Sequence, residues 1–135
     1  MKNVFTLLLL LALAGCHSVP KSPEQSVYFV EPQDGAVVGS EVRVVMGVKG
    51  MDVKPAGEVL ANTGHHHLLI DAAPLNSGEV VPGGSDKHLH FGKGQVETTI
   101  KLTPGQHTLT LQFANGAHVS YGEKMRNTIT VTVKE

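Results

Sequence analysis

The chain has no tryptophan, only two tyrosines and four phenylalanines, and a single cysteine among its 135 residues. One cysteine excludes a disulfide within the chain, so the fold must rest on its core alone. So few aromatics argue against a stacking platform for bases or sugars. Charge of either sign in excess is missing as well. Eleven basic residues face twelve acidic ones, which leaves no bulk attraction to nucleic acid or acidic lipid. There is no persuasive Ser/His/Asp order, no paired-carboxylate motif and no phosphate-cradling glycine loop. Gly92-Lys93-Gly94 follows a strand pattern without opening a helix, so it reads as a turn.

Long hydrophobic runs are also absent, with one short exception. Lys2 precedes Val4 to Ala14, an apolar, leucine-rich stretch too short to span a bilayer comfortably and suited to the core of an export signal. It ends in Leu13-Ala14-Gly15-Cys16, which resembles the bacterial lipobox, and the chain's only cysteine stands where that motif places the lipid. The expectation is a signal peptide over 1–15 and an acylated Cys16. By the sorting habit of such lipoproteins, His17 rather than Asp after the cysteine points to the outer membrane, facing the periplasm. Residues 16–26, with two prolines and no apolar periodicity, read as lipidated cysteine and tether. The ten residues after the cysteine reach roughly 33 Å when extended.

From Val27 onward the dominant period is two, over a domain expected to span 27–135. Val42, Val44, Met46 and Val48 share one strand face. Val96, Thr98, Ile100 and Leu102 alternate with polar residues, as do Leu109, Leu111 and Phe113, and then Ile129, Val131 and Val133. Turn chemistry separates these runs at Pro32-Gln33-Asp34-Gly35, Pro82-Gly83-Gly84, Thr103-Pro104-Gly105 and Asn115-Gly116. Thr103-Pro104-Gly105-Gln106 joins two strong strands and reads as a hairpin. The predicted fold is all-β, an immunoglobulin-like antiparallel β-sandwich of about seven strands, with a small closed barrel as the alternative. The least regular stretches, 50–64 and 75–87, bracket the first histidine cluster, where loops commonly carry function.

Histidine is what the chain has in place of the missing groups. It holds eight, five of them in Gly64-His65-His66-His67 and His88-Leu89-His90. On strands, alternation puts His65, His67, Leu69 and Asp71 on one face and His66, Leu68 and Ile70 on the other. His88 and His90 likewise share a face. Two imidazoles in a His-x-His strand pair have β-carbons roughly 6–7 Å apart and can converge on one ion at about 2.0–2.1 Å. The predicted metal ligands are His65, His67, His88 and His90, with His66 and His118 as further members. His66 has a competing role as a core histidine bonded to a carbonyl. Met51, Met125 and His107 are additional candidates, although His107 shares parity with Leu109 and Leu111 and reads first as a satisfied core histidine. Thioether with imidazole suits copper(I), whereas imidazole alone suits zinc, copper(II) or nickel.

Three segments together resemble a bacterial envelope family defined only as domain of unknown function 4399. They are Gly64-His65-His66-His67-Leu68-Leu69-Ile70-Asp71, then Lys87-His88-Leu89-His90-Phe91-Gly92-Lys93-Gly94-Gln95, then the run from Leu102 to Ala114. The resemblance covers nearly all of the mature domain. It implies that His65, His66, His67, His88, His90, His107 and His118, with Tyr121 and Met125, belong to a shared pattern, and it implies no activity.

Three classes of function fit these residues. The first is a membrane-anchored, periplasm-facing lipoprotein that buffers or delivers copper or zinc. The second is a structural sandwich that binds another envelope protein and uses its histidines for hydrogen bonding or pH response. The third is a copper/zinc metalloenzyme. His-x-His pairs on a β-sandwich occur in copper/zinc superoxide dismutases, but this chain lacks the second cysteine of their disulfide and departs from their ligand spacing. The non-enzymatic metal-binding reading is the one favoured.

Overall fold

Period-two alternation becomes strand after strand in the computed structural model, which describes residues 23–135. The signal segment, Cys16, His17 and most of the tether lie outside the described residues. Nine strands follow in order: β1 (Ser26–Glu31), β2 (Val37–Val38), β3 (Glu41–Lys49), β4 (Asp52–Val53), β5 (Thr63–Ile70), β6 (His88–His90), β7 (Glu97–Lys101), β8 (Gly105–Ala114) and β9 (Arg126–Val133). The one helical element among the described residues is a 3-10 turn, Glu123–Met125, and no helix there is long and apolar enough to cross a membrane.

The strands form two sheets. The smaller has the order β1-β3-β7. The larger runs β2-β9-β8-β5-β4, with β6 also paired to β5. Most pairings are antiparallel, while the two-residue strands β2 and β4 lie parallel to β9 and β5. The all-β sandwich expected from the sequence is therefore what the chain forms. Its core lies between the sheets: Val42, Val44 and Met46 from β3 and Ile100 from β7 share one buried cluster with Leu68, Leu109, Leu111, Phe113, Ile129 and Val131 of the larger sheet. Burying each large aliphatic side chain contributes about 1.5–3 kcal/mol relative to exposure, which is how a domain without disulfides holds together.

One expectation is overturned. Thr103-Pro104-Gly105-Gln106 is not a hairpin, because β7 pairs with β3 whereas β8 pairs with β5 and β9. The turn crosses between layers. Each flanking strand has one apolar face, and stacking them across the core buries Ile100 and Leu102 opposite the Leu109 and Leu111 side of the sandwich. Side-by-side pairing would have required the same alternation and the same turn residues.

The strand that matters most for the site is β5. All eight of its residues are buried, since β8 and β6 flank it and loop segments cover its outer face. The long connection after Ile70 is stitched onto residues 118–120. Val81 N–H donates to His118 O at 2.9 Å, Ser120 N–H to Glu79 O at 2.8 Å and Gly78 N–H to Ser120 O at 3.0 Å. This stitching fixes the position of the loop that carries His118.

Candidate metal centre

Four imidazoles meet on the outer face of the larger sheet. His65 and His67 project from β5 two residues apart, and His90 of β6 stands directly opposite His67 in the antiparallel register. His118 comes from the excursion between β8 and β9. Nε2 of His67 lies 3.0 Å from Nε2 of His65, and Nε2 of His118 lies 3.0 Å from Nε2 of His90. Ring centroids are 4.6 Å apart for His90 and His118, and 5.0 Å for His65 with each of them. His67 sits 4.8 Å from His65 and 5.0 Å from His90 by the same measure. One donor nitrogen from each of His65, His90 and His118 falls within 4.8 Å of the others. Two nitrogens on a tetrahedral ion with bonds of about 2.0–2.1 Å stand about 3.3 Å apart, so small ring rotations would bring these donors onto one ion.

The electrostatics fit a cation that replaces protons. His65 and His67 have no exposed surface, and Nδ1 of each has no hydrogen-bond partner. Burial first, then the neighbouring His90 and His118, pushes the His65 imidazolium down to about 4. Burial and the surrounding imidazoles push His67 down to about 3. Desolvation and then His118 lower His90 as well. His65, His67 and His90 are therefore neutral near pH 7, with lone pairs available, and neutral imidazole is the form a transition metal binds. Without a cation, buried rings whose nitrogens meet only one another leave polar atoms unsatisfied at a cost of about 1–3 kcal/mol each.

A family model described as Domain of unknown function (DUF4399) matches residues 44–134. The chain belongs to this family. Searches of curated proteins and of solved structures return no match. The matched span of the DUF4399 domain contains all four clustered histidines.

Other histidines and methionines of the DUF4399 domain lie apart from this group. His88 shares the outer face but stands opposite Leu69, two residue pairs further along β5, and its Nδ1 is 3.2 Å from Ser85 Oγ. His66 points into the sandwich, its ring 5.0 Å from that of Phe113. It is buried with both nitrogens unpartnered, and burial lowers it to about 4. His107 is held from both sides. Its Nδ1–H donates to Asp71 Oδ2 at 2.7 Å and its Nε2–H to Thr103 O at 2.8 Å, which raises its pKa, Asp71 acting most strongly. Met125 belongs to the apolar core and Met51 packs against it. Asp71 leaves the ligand face because its φ of 50° ends the alternation of β5. Its Oδ1 accepts the Thr108 N–H at 2.8 Å instead. Tyr121 is also engaged elsewhere, its hydroxyl donating to Thr63 O at 2.7 Å.

Two residues that shape the site carried no metal signal in the sequence. Asn115 and Gly92 read only as turn residues, because the contacts that give them a role are with histidines brought near by folding.

Proposed function

We propose that this DUF4399 domain is a transition-metal-binding module of the bacterial envelope, anchored through lipid on Cys16 and serving to buffer or deliver zinc or copper. The observation that carries the reading is the convergence of His65, His90 and His118, with donor atoms within 4.8 Å of one another, beside the fully buried His67. An all-imidazole donor set suits zinc or copper(II), and the placement of Met51 and Met125 with the apolar core argues against a thioether-rich copper(I) site. His65 and His67 on the central strand supply the buried inner half of the centre. His90, exposed at the sheet margin, and the half-buried His118 supply the outer half, through which an ion would enter and leave.

The test is elemental analysis of protein purified without a histidine tag, followed by titration with zinc and copper(II). One tightly bound ion per chain, lost in His65→Ala, is the expected result. Absence of stoichiometric binding to either metal would favour a sandwich whose imidazoles merely pair with each other and whose role is to bind another envelope protein.

A further inference from the structure

The outer half of the cluster is shaped by two side-chain features that offer no ligand to it. At position 92, an added Cβ would meet the His90 imidazole before anything else, with all three of its nearest neighbours on that ring and Nε2 only 2.5 Å away. That Nε2 is the atom that faces His118. The φ of Gly92 lies outside the left-handed region, so its backbone does not demand glycine. The space above it does. His118 lies at φ 65°, an uncommon conformation for a residue with a side chain, at the tip of a tight loop. Asn115 holds that loop from within. Its Oδ1 accepts the N–H groups of Ala117 at 2.9 Å and Val119 at 3.0 Å, and its own carbonyl accepts the His118 N–H at 2.9 Å.

We propose that Gly92 and Asn115 are positioning residues of the metal centre: Gly92 reserves the space in which His90 turns its Nε2 toward the ion, and Asn115 fixes the loop that presents His118. The inference rests on the metal-binding reading above and deepens it. A methyl group at residue 92 drives an exposed ring off the cluster while leaving the backbone intact, including the bond from Ala56 N–H to Gly92 O at 2.8 Å. Removing the Asn115 carboxamide leaves two loop N–H groups without their acceptor and releases the strained backbone at His118. Groups that orient metal ligands without binding the ion commonly change affinity by about 10–100-fold when mutated.

The experiment titrates zinc and copper(II) separately into the full-length protein in detergent, comparing the parent with Gly92→Ala, Asn115→Ala, Asn115→Asp and His65→Ala. Thermal melting and ring-proton contacts by NMR are measured on the metal-free forms. Gly92→Ala should lower affinity by about 10–100-fold with unchanged metal-free melting, and should abolish the through-space contact expected in the parent from His90 and His118 rings 4.6 Å apart. Asn115→Ala should lower affinity comparably, and Asn115→Asp should restore it, since a carboxylate oxygen accepts the same two N–H groups. Parental affinity in Gly92→Ala and Asn115→Ala, alongside lost binding in His65→Ala, would overturn the inference and leave the metal site standing. Parental affinity in His65→Ala would remove the metal site itself, and the inference with it. Because Gly92→Ala perturbs only an exposed ring, it remains informative even if Asn115→Ala fails to fold.

Discussion

At the scale of single residues, the three adjacent histidines of β5 have different fates because strand alternation separates them. His65 and His67 face the cluster, and His66 faces the core. His66 is buried beside Phe113 with neither nitrogen satisfied, so it contributes packing at the expense of two desolvated polar atoms. Replacement by a leucine of similar size should therefore raise stability by about 1–3 kcal/mol, the penalty for an unpartnered buried group. Metal affinity should remain unchanged. Chemical denaturation with a parallel zinc titration measures both. A destabilised His66→Leu protein would mean that His66 finds a partner in solution. His88→Ala provides the matching contrast on the outer face. Standing opposite Leu69 and close to Ser85, it should bind metal like the parent, whereas His90→Ala should lose at least about tenfold, or roughly 1.4 kcal/mol. The His-x-His spacing made the shared face of His88 and His90 legible in the sequence. It did not reveal the register of β6 against β5, and that register alone decides which of the two meets His67.

At the scale of elements, the strands with clean alternation were legible: β3, β8 and β9 follow their Val, Leu and Ile patterns, and β7 follows Thr98 and Ile100. Connections were less legible, because Thr103-Pro104-Gly105 can close a hairpin or cross between sheets with the same turn chemistry. The His118 loop was visible only as Asn115-Gly116, since its pairing with the long connection after β5 is non-local. The interlayer turn has its own lock. Asp71 at the end of β5 accepts from Thr108 and His107, and His107 reaches back to Thr103. This lock has a defined pH window. His107 is raised above its ordinary value of about 6.5, so its contribution is complete below that pH and disappears as pH rises through the folded value. Burial alone would raise the Asp71 carboxyl, but the Thr108 N–H and then His107 hold it below its usual range. Its contribution is therefore present above about pH 4 and lost as pH falls through the folded value. The destabilisation caused by Asp71→Asn should accordingly be larger at about pH 5.5 than at about pH 8.5. Urea unfolding of parent and variant at the two values decides it, and an equal loss at both would show that the His107 charge does not matter.

At the scale of the whole molecule, the proposed function couples a lipid anchor on Cys16 to the histidine cluster, and the anchor can be tested alone. Cys16→Ser should release the domain from membrane fractions or leave an uncleaved precursor, and continued acylation of that variant would exclude the lipobox. The histidines also set the domain's tolerance of acid. His65, His66 and His67 are held neutral when folded, at about 4, 4 and 3, but titrate near 6.5 in the unfolded chain. Between those limits the unfolded state binds more protons, so stability must fall as pH falls below about 6.5. Each proton of difference is worth about 1.4 kcal/mol per pH unit, so two of them acting together remove about 6 kcal/mol by about pH 4.5, enough to exhaust the low end of an ordinary margin of about 5–15 kcal/mol. The metal-free protein should therefore unfold cooperatively in mild acid, and His66→Leu should move that midpoint to lower pH by removing one of the three groups. Zinc at about a hundred times its dissociation constant should add about 2.7 kcal/mol near pH 7. With folded values of about 4 and 3, His65 and His67 stay largely neutral near pH 4.5, so zinc should still raise the melting temperature there and offset part of the acid loss. Melting curves with and without zinc across this range test both halves of the argument. A metal-free protein equally stable at about pH 7 and about pH 5 would mean that these imidazoles are not held neutral by burial.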